Sequence, residues 1–373
     1  MYFYFVIEYS AKKSNVNGFV VENVNLSTII CSDNEVKMAQ KCIFCGGKPK
    51  NKNKEHVIPQ WLSKYLGRYR DICYMPNITD KEIPFCGLVF PACEKCNSDD
   101  SVLEVGAKKV VEKMMAGQSV TGAEINTLLD WFDKLRHGFW LGELMLSKKL
   151  DEIDPNFYIN TRIGQKDRML IIERFKDVGN GLGILADALP GHKKSPNVMQ
   201  FWFNDVVLTS VSVTGLVSNK LGFPCVSQIE RVSRQIIEFE LSPGRNKTTH
   251  PVVMNIDATD KTIIYQPIFK EYQDASYYDV PYVKEHCYDF DNGLGGIFVQ
   301  RHDNKIRYMG KDDKVTLMPK NQPKSAVDKS VKRVFELQNY VLDDLYKKNS
   351  ARVALKKHID AQVHKVQQRL KCK

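Results

Sequence analysis

Two pairs of cysteines constrain this chain more than any other feature. Cys42-Ile43-Phe44-Cys45 and Cys93-Glu94-Lys95-Cys96 are both C-x2-C pairs, separated by residues 46–92. Two thiolates three residues apart in a tight turn can reach one cation, and two such turns complete the four-sulfur tetrahedral shell that structural Zn²⁺ favours, with bonds of ~2.3 Å. Gly46-Gly47 follows the first pair, where the turn is sharpest. Four unrelated buried thiols are the competing reading, but two C-x2-C pairs would then have to coincide in one chain.

Of the 10 cysteines, 6 lie between Cys42 and Cys96, which marks a compact metal-dependent segment rather than a disulfide framework spread along the chain. That reading assumes a reducing compartment. Met1–Tyr9 is aromatic and alternating, with an early Glu8 and no basic leader, so it reads as a strand and not as a signal peptide. The apolar run Val206–Val217 is too short and too rich in Ser and Thr for a membrane span, so a cytoplasmic protein is expected, with no membrane partner.

A length of 373 residues leaves room for two or three domains, and a hydrophobic fraction of 43% with 26% charged residues excludes a disordered or collagen-like chain. The formal charge is +10, and residues 324–373 alone hold 13 Lys and Arg against 5 Asp and Glu. Such a tail attracts polyanions, nucleic acid in the first place and an acidic membrane surface as the rival.

Between the cysteine pairs stands Glu55-His56-Val57-Ile58-Pro59, and Asn97 follows the last cysteine directly. This arrangement resembles the HNH endonuclease family, whose ββα-metal fold carries an acidic residue and His at the end of one strand, then a second strand, then a helix bearing Asn or His. In many members two C-x2-C pairs brace the fold with zinc. The resemblance covers residues 40–112 and implies a metal-dependent phosphodiester hydrolase, with His56 as general base and Glu55 and Asn97 as ligands of a catalytic Mg²⁺ or Mn²⁺. It implies a structural Zn²⁺ on Cys42, Cys45, Cys93 and Cys96, and products with 5′-phosphate and 3′-hydroxyl ends.

Imidazole, with an ordinary pKa near ~6.5, suits proton abstraction from water at neutral pH. The chain departs from the family at two places. Leu88 stands where a middle Asn is usual, so another group must orient the base. Ser101 stands where many members have a His ligand, which makes Asp100 the nearest further metal ligand. Glu104 shares a helix face with Asn97 and reads equally as a solvated or capping residue.

After His56, Trp61, Lys64, Tyr65, Arg68, Tyr69 and Arg70 interleave basic and aromatic side chains. Lys64, Arg68 and Arg70 are candidates for nucleic-acid contact. Equally, Trp61, Leu62, Tyr65 and Leu66 make a short amphipathic helix whose aromatics turn inward.

Further on, Thr121-Gly122-Ala123-Glu124 is a capping-box pattern, and Ile125, Leu128, Leu129, Phe132, Leu135 and Phe139 continue it as a helical stripe to about Ser147. Phe157–Ile163, Arg168–Phe175, Val198–Val213 and Ile236–Leu241 read as strands. Arg162–Arg168 reads as a solvated polar turn, with a ligand-facing role as the alternative. Val327, Val331, Val334, Leu337 and Val341 restore a 3.6-residue period.

The expected fold is α+β. It comprises an N-terminal β segment (1–36), an HNH nuclease module with structural zinc (37–118), an α+β, β-rich region for target recognition or regulation through a partner or ligand (119–323), and a basic helical tail (324–373). The expected function is an HNH endonuclease acting on nucleic acid, DNA before RNA, of a kind that would suit a restriction-like or phage-defence effector. A homodimer and a nicking monomer are equally compatible with it. The alternative is a zinc-ribbon nucleic-acid-binding protein without catalysis.

Overall fold

In a computed structural model of the chain, the residues described are 41–49, 53–65, 72–73, 83–84, 89–146, 159–179, 182–187, 197–213, 216–217, 221, 225–232, 235–242, 256, 258–268, 287–289 and 294–345. The N-terminal β segment, Arg68, Arg70 and the end of the basic tail fall outside them.

The fold is mixed α+β. Its first part is a two-stranded antiparallel sheet of β1 (Asn53–His56) and β2 (Val89–Ala92), in which Glu55 lies opposite Phe90 and His56 opposite Val89. A short helix α1 (Gln60–Tyr65) follows β1. The 22-residue helix α2 (Glu94–Met115) begins two residues after β2, with Cys93 as its N-cap. Cys42–Gly47 closes back on this frame: Ile43 donates its N–H to the carbonyl of Pro91 at 3.0 Å.

Helix α3 (Gly122–Leu146) starts on the capping box that the sequence predicts. Glu124 N–H donates to Thr121 Oγ1 at 3.2 Å and Thr121 N–H to Glu124 Oε2 at 2.9 Å, so each residue satisfies a donor of the other. Its apolar stripe is fully buried, with Trp131, Phe132 and Leu135 all at most 1% exposed.

The main sheet has seven strands: β3 (Arg168–Arg174), β4 (Leu182–Asp187), β5 (Val198–Phe203), β6 (Val206–Ser212), β7 (Lys261–Gln266), β8 (Ile297–Gln300) and β9 (Ile306–Met309). The spatial order is β9-β8-β7-β3-β6-β5-β4, and every pairing is antiparallel. The central strands are apolar on both faces because both faces are covered. Leu170 and Ile172 join the core under α3, whereas Met169 and Ile171 join a second core with Val334, Phe335, Leu337 and Val341 of helix α4 (Val327–Leu345). The alternation of one strand thus sorts its side chains between two helical layers.

Three expectations change. Within Phe157–Ile163, Ile159–Thr161 is a 3-10 turn and not a strand, because its backbone docks on the cysteine loop, with Ile159 N–H on the carbonyl of Ile43 at 3.1 Å. The polar turn before β3 is buried in part: Asp167, itself buried, accepts backbone N–H groups of Val217 at 2.8 Å and Ile268 at 2.9 Å. The first helix of the basic tail packs on the sheet, where Arg333 pairs with the buried Glu173 at 2.8 Å. No helix among the described residues is long and apolar enough to cross a membrane.

Candidate functional site

The four cysteines converge as their spacing requires. Their sulfurs lie within 4.8 Å of one another. Cys45 Sγ and Cys93 Sγ are 3.9 Å apart, close to the edge of about 3.8 Å of a tetrahedron with ~2.3 Å metal–sulfur bonds. The first pair is set by a turn in which Gly46, at φ 75°, takes the left-handed conformation and donates its N–H to the carbonyl of Cys42 at 2.8 Å. Outer donors are also in place: the N–H of Cys93 points at Cys42 Sγ, 3.2 Å away, and Asn160 Nδ2 at Cys96 Sγ, 3.9 Å away. A donor set of four soft sulfurs with N–H groups aimed at them fits a metal such as zinc.

A second cluster forms on the same frame. Glu55 on β1 and Asp100 and Glu104 on α2 bring carboxylate oxygens within 4.8 Å of one another. Asp100 and Glu104 are one helical turn apart, which puts them on one face of α2 toward β1. In their midst lies the ammonium of Lys134 from α3, 2.6 Å from Glu55 Oε1 and 2.5 Å from Asp100 Oδ2, and also paired with Glu104. Lys134 is 2% exposed, and Phe44 of the cysteine loop lies beside it, its ring centroid 6.0 Å from Nζ.

Burial pushes Glu55 up to about 7, with the charges of Asp100 and Glu104 adding to it and Lys134 opposing. Asp100 and Glu104 are raised as well, by burial first. For Lys134 burial acts downward, but Glu104, Glu55 and Asp100 together hold the amine above its ordinary value. Three carboxylates and one ammonium leave a surplus of negative charge in a dry place, which favours a proton or a further cation there.

His56 belongs to neither cluster. It is half-buried at the end of β1, and its Nε2 lies 2.8 Å from Gln60 Nε2. Lys64 Nζ donates to Gln60 Oε1 at 3.2 Å, so His56, Gln60 and Lys64 form a chain along one side of α1. Burial lowers the His56 pKa, and the charges of Lys64, Lys134 and Lys54 lower it further, which favours the neutral ring. Asn97 is half-buried in the first turn of α2.

The structure therefore gathers Glu55 and Asp100, but it adds Glu104, which the sequence leaves open between a place on the Asn97 face of the helix and a solvated or capping role, and Lys134, which no sequence motif marks. Lys64 is exposed and engaged with Gln60. Trp61 turns inward, its ring 5.9 Å from that of Trp131. The position of the missing middle Asn, Leu88, lies outside the described residues. Comparison with family models, with curated proteins and with solved structures gave no match for this chain.

Proposed function

We propose that this chain is a metal-dependent endonuclease of the HNH kind, acting on nucleic acid and on DNA first. The observation that carries the reading is the order of the frame. Glu55-His56 ends β1, β1 pairs antiparallel with β2, and β2 leads directly into α2 bearing Asn97 and Asp100, with one cysteine pair before β1 and the other at the start of α2. This strand, strand, helix order is what the HNH resemblance implies for residues that are far apart in sequence.

The donor chemistry fits a hard divalent cation. Glu55, Asp100 and Glu104 offer oxygen ligands, and their charge beyond what Lys134 balances suits Mg²⁺ or Mn²⁺. Such a cation, when bound, supplies stabilisation of the charge that builds on the phosphate and the leaving oxygen. His56, its neutral form favoured by its surroundings, accepts a proton from water. The water oxygen bonds to phosphorus, the bond from phosphorus to the 3′-oxygen breaks, and that oxygen takes a proton from solvent. Lys54 and Lys64 supply positive charge beside His56 for the approaching phosphodiester. Zinc on Cys42, Cys45, Cys93 and Cys96 has a structural role in this reading.

The competing reading is a nucleic-acid-binding protein without catalysis. It draws on Lys134, whose ammonium already touches all three carboxylates and could stand in permanently for a cation.

Supercoiled plasmid incubated with wild-type protein or His56→Ala, in Mg²⁺, Mn²⁺ or EDTA, separates the two. Nicked or linear products from wild type alone, abolished by EDTA, are expected. Binding by both proteins with no cutting by either, at one zinc per chain, would overturn the enzyme reading.

A further inference from the structure

A cleft of ≈ 400 Å³ opens at the β9 edge of the main sheet, with the β8–β9 hairpin on one side and Asp313–Val315 on the other. That volume lies at the lower end of the range small-ligand sites take. Both walls are braced. Lys314-Val315 pairs antiparallel with Val120-Thr121, and Gly122 at the start of α3 donates its N–H to the carbonyl of Asp313 at 3.1 Å. In the hairpin turn Asn304, at φ 55°, donates its N–H to the carbonyl of Arg301 at 2.6 Å and accepts the N–H of Ala258 on its side-chain oxygen at 3.0 Å. Lys134 lies about 18 Å further along α3 from Gly122, so the cleft is separate from the carboxylate cluster.

The lining combines an apolar floor with a surplus of positive charge. Val299, Met309 and Val315 are buried, and Tyr308 adds an exposed aromatic edge. Arg301, Arg307 and Lys314 face two carboxylates, Asp303 and Asp313, with His302 a further cation when protonated. Asp303 is engaged by two nitrogens of Arg307 and by the N–H of Lys305, and Asp313 by the N–H of Gly310 at 2.8 Å. Among the described residues no carboxylate pairs with Arg301 or Lys314. Arg301 is half-buried, and its Nε is fully buried without a hydrogen-bond partner. A guanidinium held in that state beside a cleft lacks the acceptor that would offset its desolvation.

We propose that this cleft binds a phosphate group carried on an organic body of about one nucleotide. The planar fork of Arg301 matches phosphate oxygens in pairs, and Lys314 adds a point charge from the facing wall. The body then covers the floor of Val299, Met309 and Val315. A free nucleotide and one unit of a nucleic-acid strand present the same chemistry here. The site does not depend on whether His56 cuts.

Isothermal titration calorimetry of the full-length, zinc-loaded chain with AMP and with adenosine, in buffer without added divalent cation, tests this. AMP is expected to bind wild type with a Kd below about 1 mM, and adenosine at least about tenfold more weakly. Arg301→Gln and Lys314→Met are each expected to weaken AMP about tenfold or more. Lys305→Gln removes the same charge from the hairpin outside the cleft lining and is expected to stay within about twofold. Lys314 is exposed, so its variant leaves the packing of the hairpin untouched. AMP is also expected to raise the melting temperature of wild type but not of Arg301→Gln.

Tetrathymidylate separates the two sources. Arg301-dependent binding tighter than that of AMP assigns the phosphate to a strand, and the reverse assigns it to a free nucleotide. Adenosine binding as tightly as AMP, a loss in Lys305→Gln equal to that in the cleft variants, or AMP affinity unchanged by both Arg301→Gln and Lys314→Met would each overturn the proposal. So would the absence of AMP binding by wild type up to about 10 mM.

Discussion

The cysteine cluster and the carboxylate cluster meet at helix α2, yet they are held together in different ways. The four sulfurs come from two sequence-local turns, each of which presents its pair whatever the rest of the chain does. The three carboxylates come from β1 and α2, and the cation that joins them comes from α3, a helix that belongs equally to the main sheet. The first cluster assembles the frame, and the second ties the frame to the remainder of the molecule. A local metal site and a long-range ion cluster can therefore stabilise one small unit along separate routes.

The largest test of that contrast is loss of a metal ligand. Cys42→Ser or Cys96→Ser is expected to remove one zinc per chain and, with it, folding free energy on the order of 10 kcal/mol for the frame. Metal content by atomic emission and the near-ultraviolet signal of the buried tryptophans check this together. A variant that keeps its melting temperature without metal would break the comparison at its first term.

Lys134→Met probes the second cluster. It leaves Glu55, Asp100 and Glu104 buried without their ammonium, for an expected loss of about 3–5 kcal/mol in urea unfolding. A loss below about 1 kcal/mol would mean that solvent or protons replace Lys134 at little cost. Adding Glu55→Gln to Lys134→Met is expected to restore part of the stability, since it removes one of the stranded charges.

Acidity provides a gentler perturbation. The carboxyl of Glu55 is raised to about 7 in the folded chain and stands near 4.5 otherwise, so the folded state binds the extra proton between those values and is stabilised as the pH falls through that interval. In buffer without added divalent cation, the melting temperature is expected to rise from pH 8 to pH 5.5, and Glu55→Gln to flatten the rise. A slope of the opposite sign would show that the carboxylates are already balanced.

The smallest effect is expected at the surface of the same helix. Lys95 and Asp99 are 3.6 Å apart but 88% and 65% exposed, so Lys95→Ala is expected to change stability by less than about 0.5 kcal/mol. A larger change would move the boundary of the cluster outward.

How much of this the sequence carries follows from the distance over which each feature is encoded. The two C-x2-C pairs, the Thr121 and Glu124 capping box and the stripe from Ile125 to Phe139 are local patterns, and each appears in the structure where the pattern puts it. The turn at Ile159–Thr161 reads as a strand from its composition because the cysteine loop that claims its backbone hydrogen bonds is more than 100 residues away.

Lys134 is hidden for the same reason. It lies between Asp133 and Leu135 on a helix whose charged residues look like a solvated face, and only the carboxylates of β1 and α2 make its burial tolerable. Glu104 shares its fate.

Helix α3 has a consequence for how this protein can be handled and how it could have arisen. One of its faces gives Lys134 to the carboxylates, Trp131 to Trp61, and Gly138 so close to Val57 that a Cβ there would lie 3.2 Å from Val57 Cγ1. The rest gives Phe132 to Phe201, and Arg136 donates to Ser210 Oγ at 2.7 Å in the sheet. A cut at residue 118 passes between α2 and α3, through a shared interior. The cysteine frame is thus not a cassette that can be lifted out and grafted elsewhere; transplanted alone, it would keep its four sulfurs but leave Val57 without the helix that packs on it.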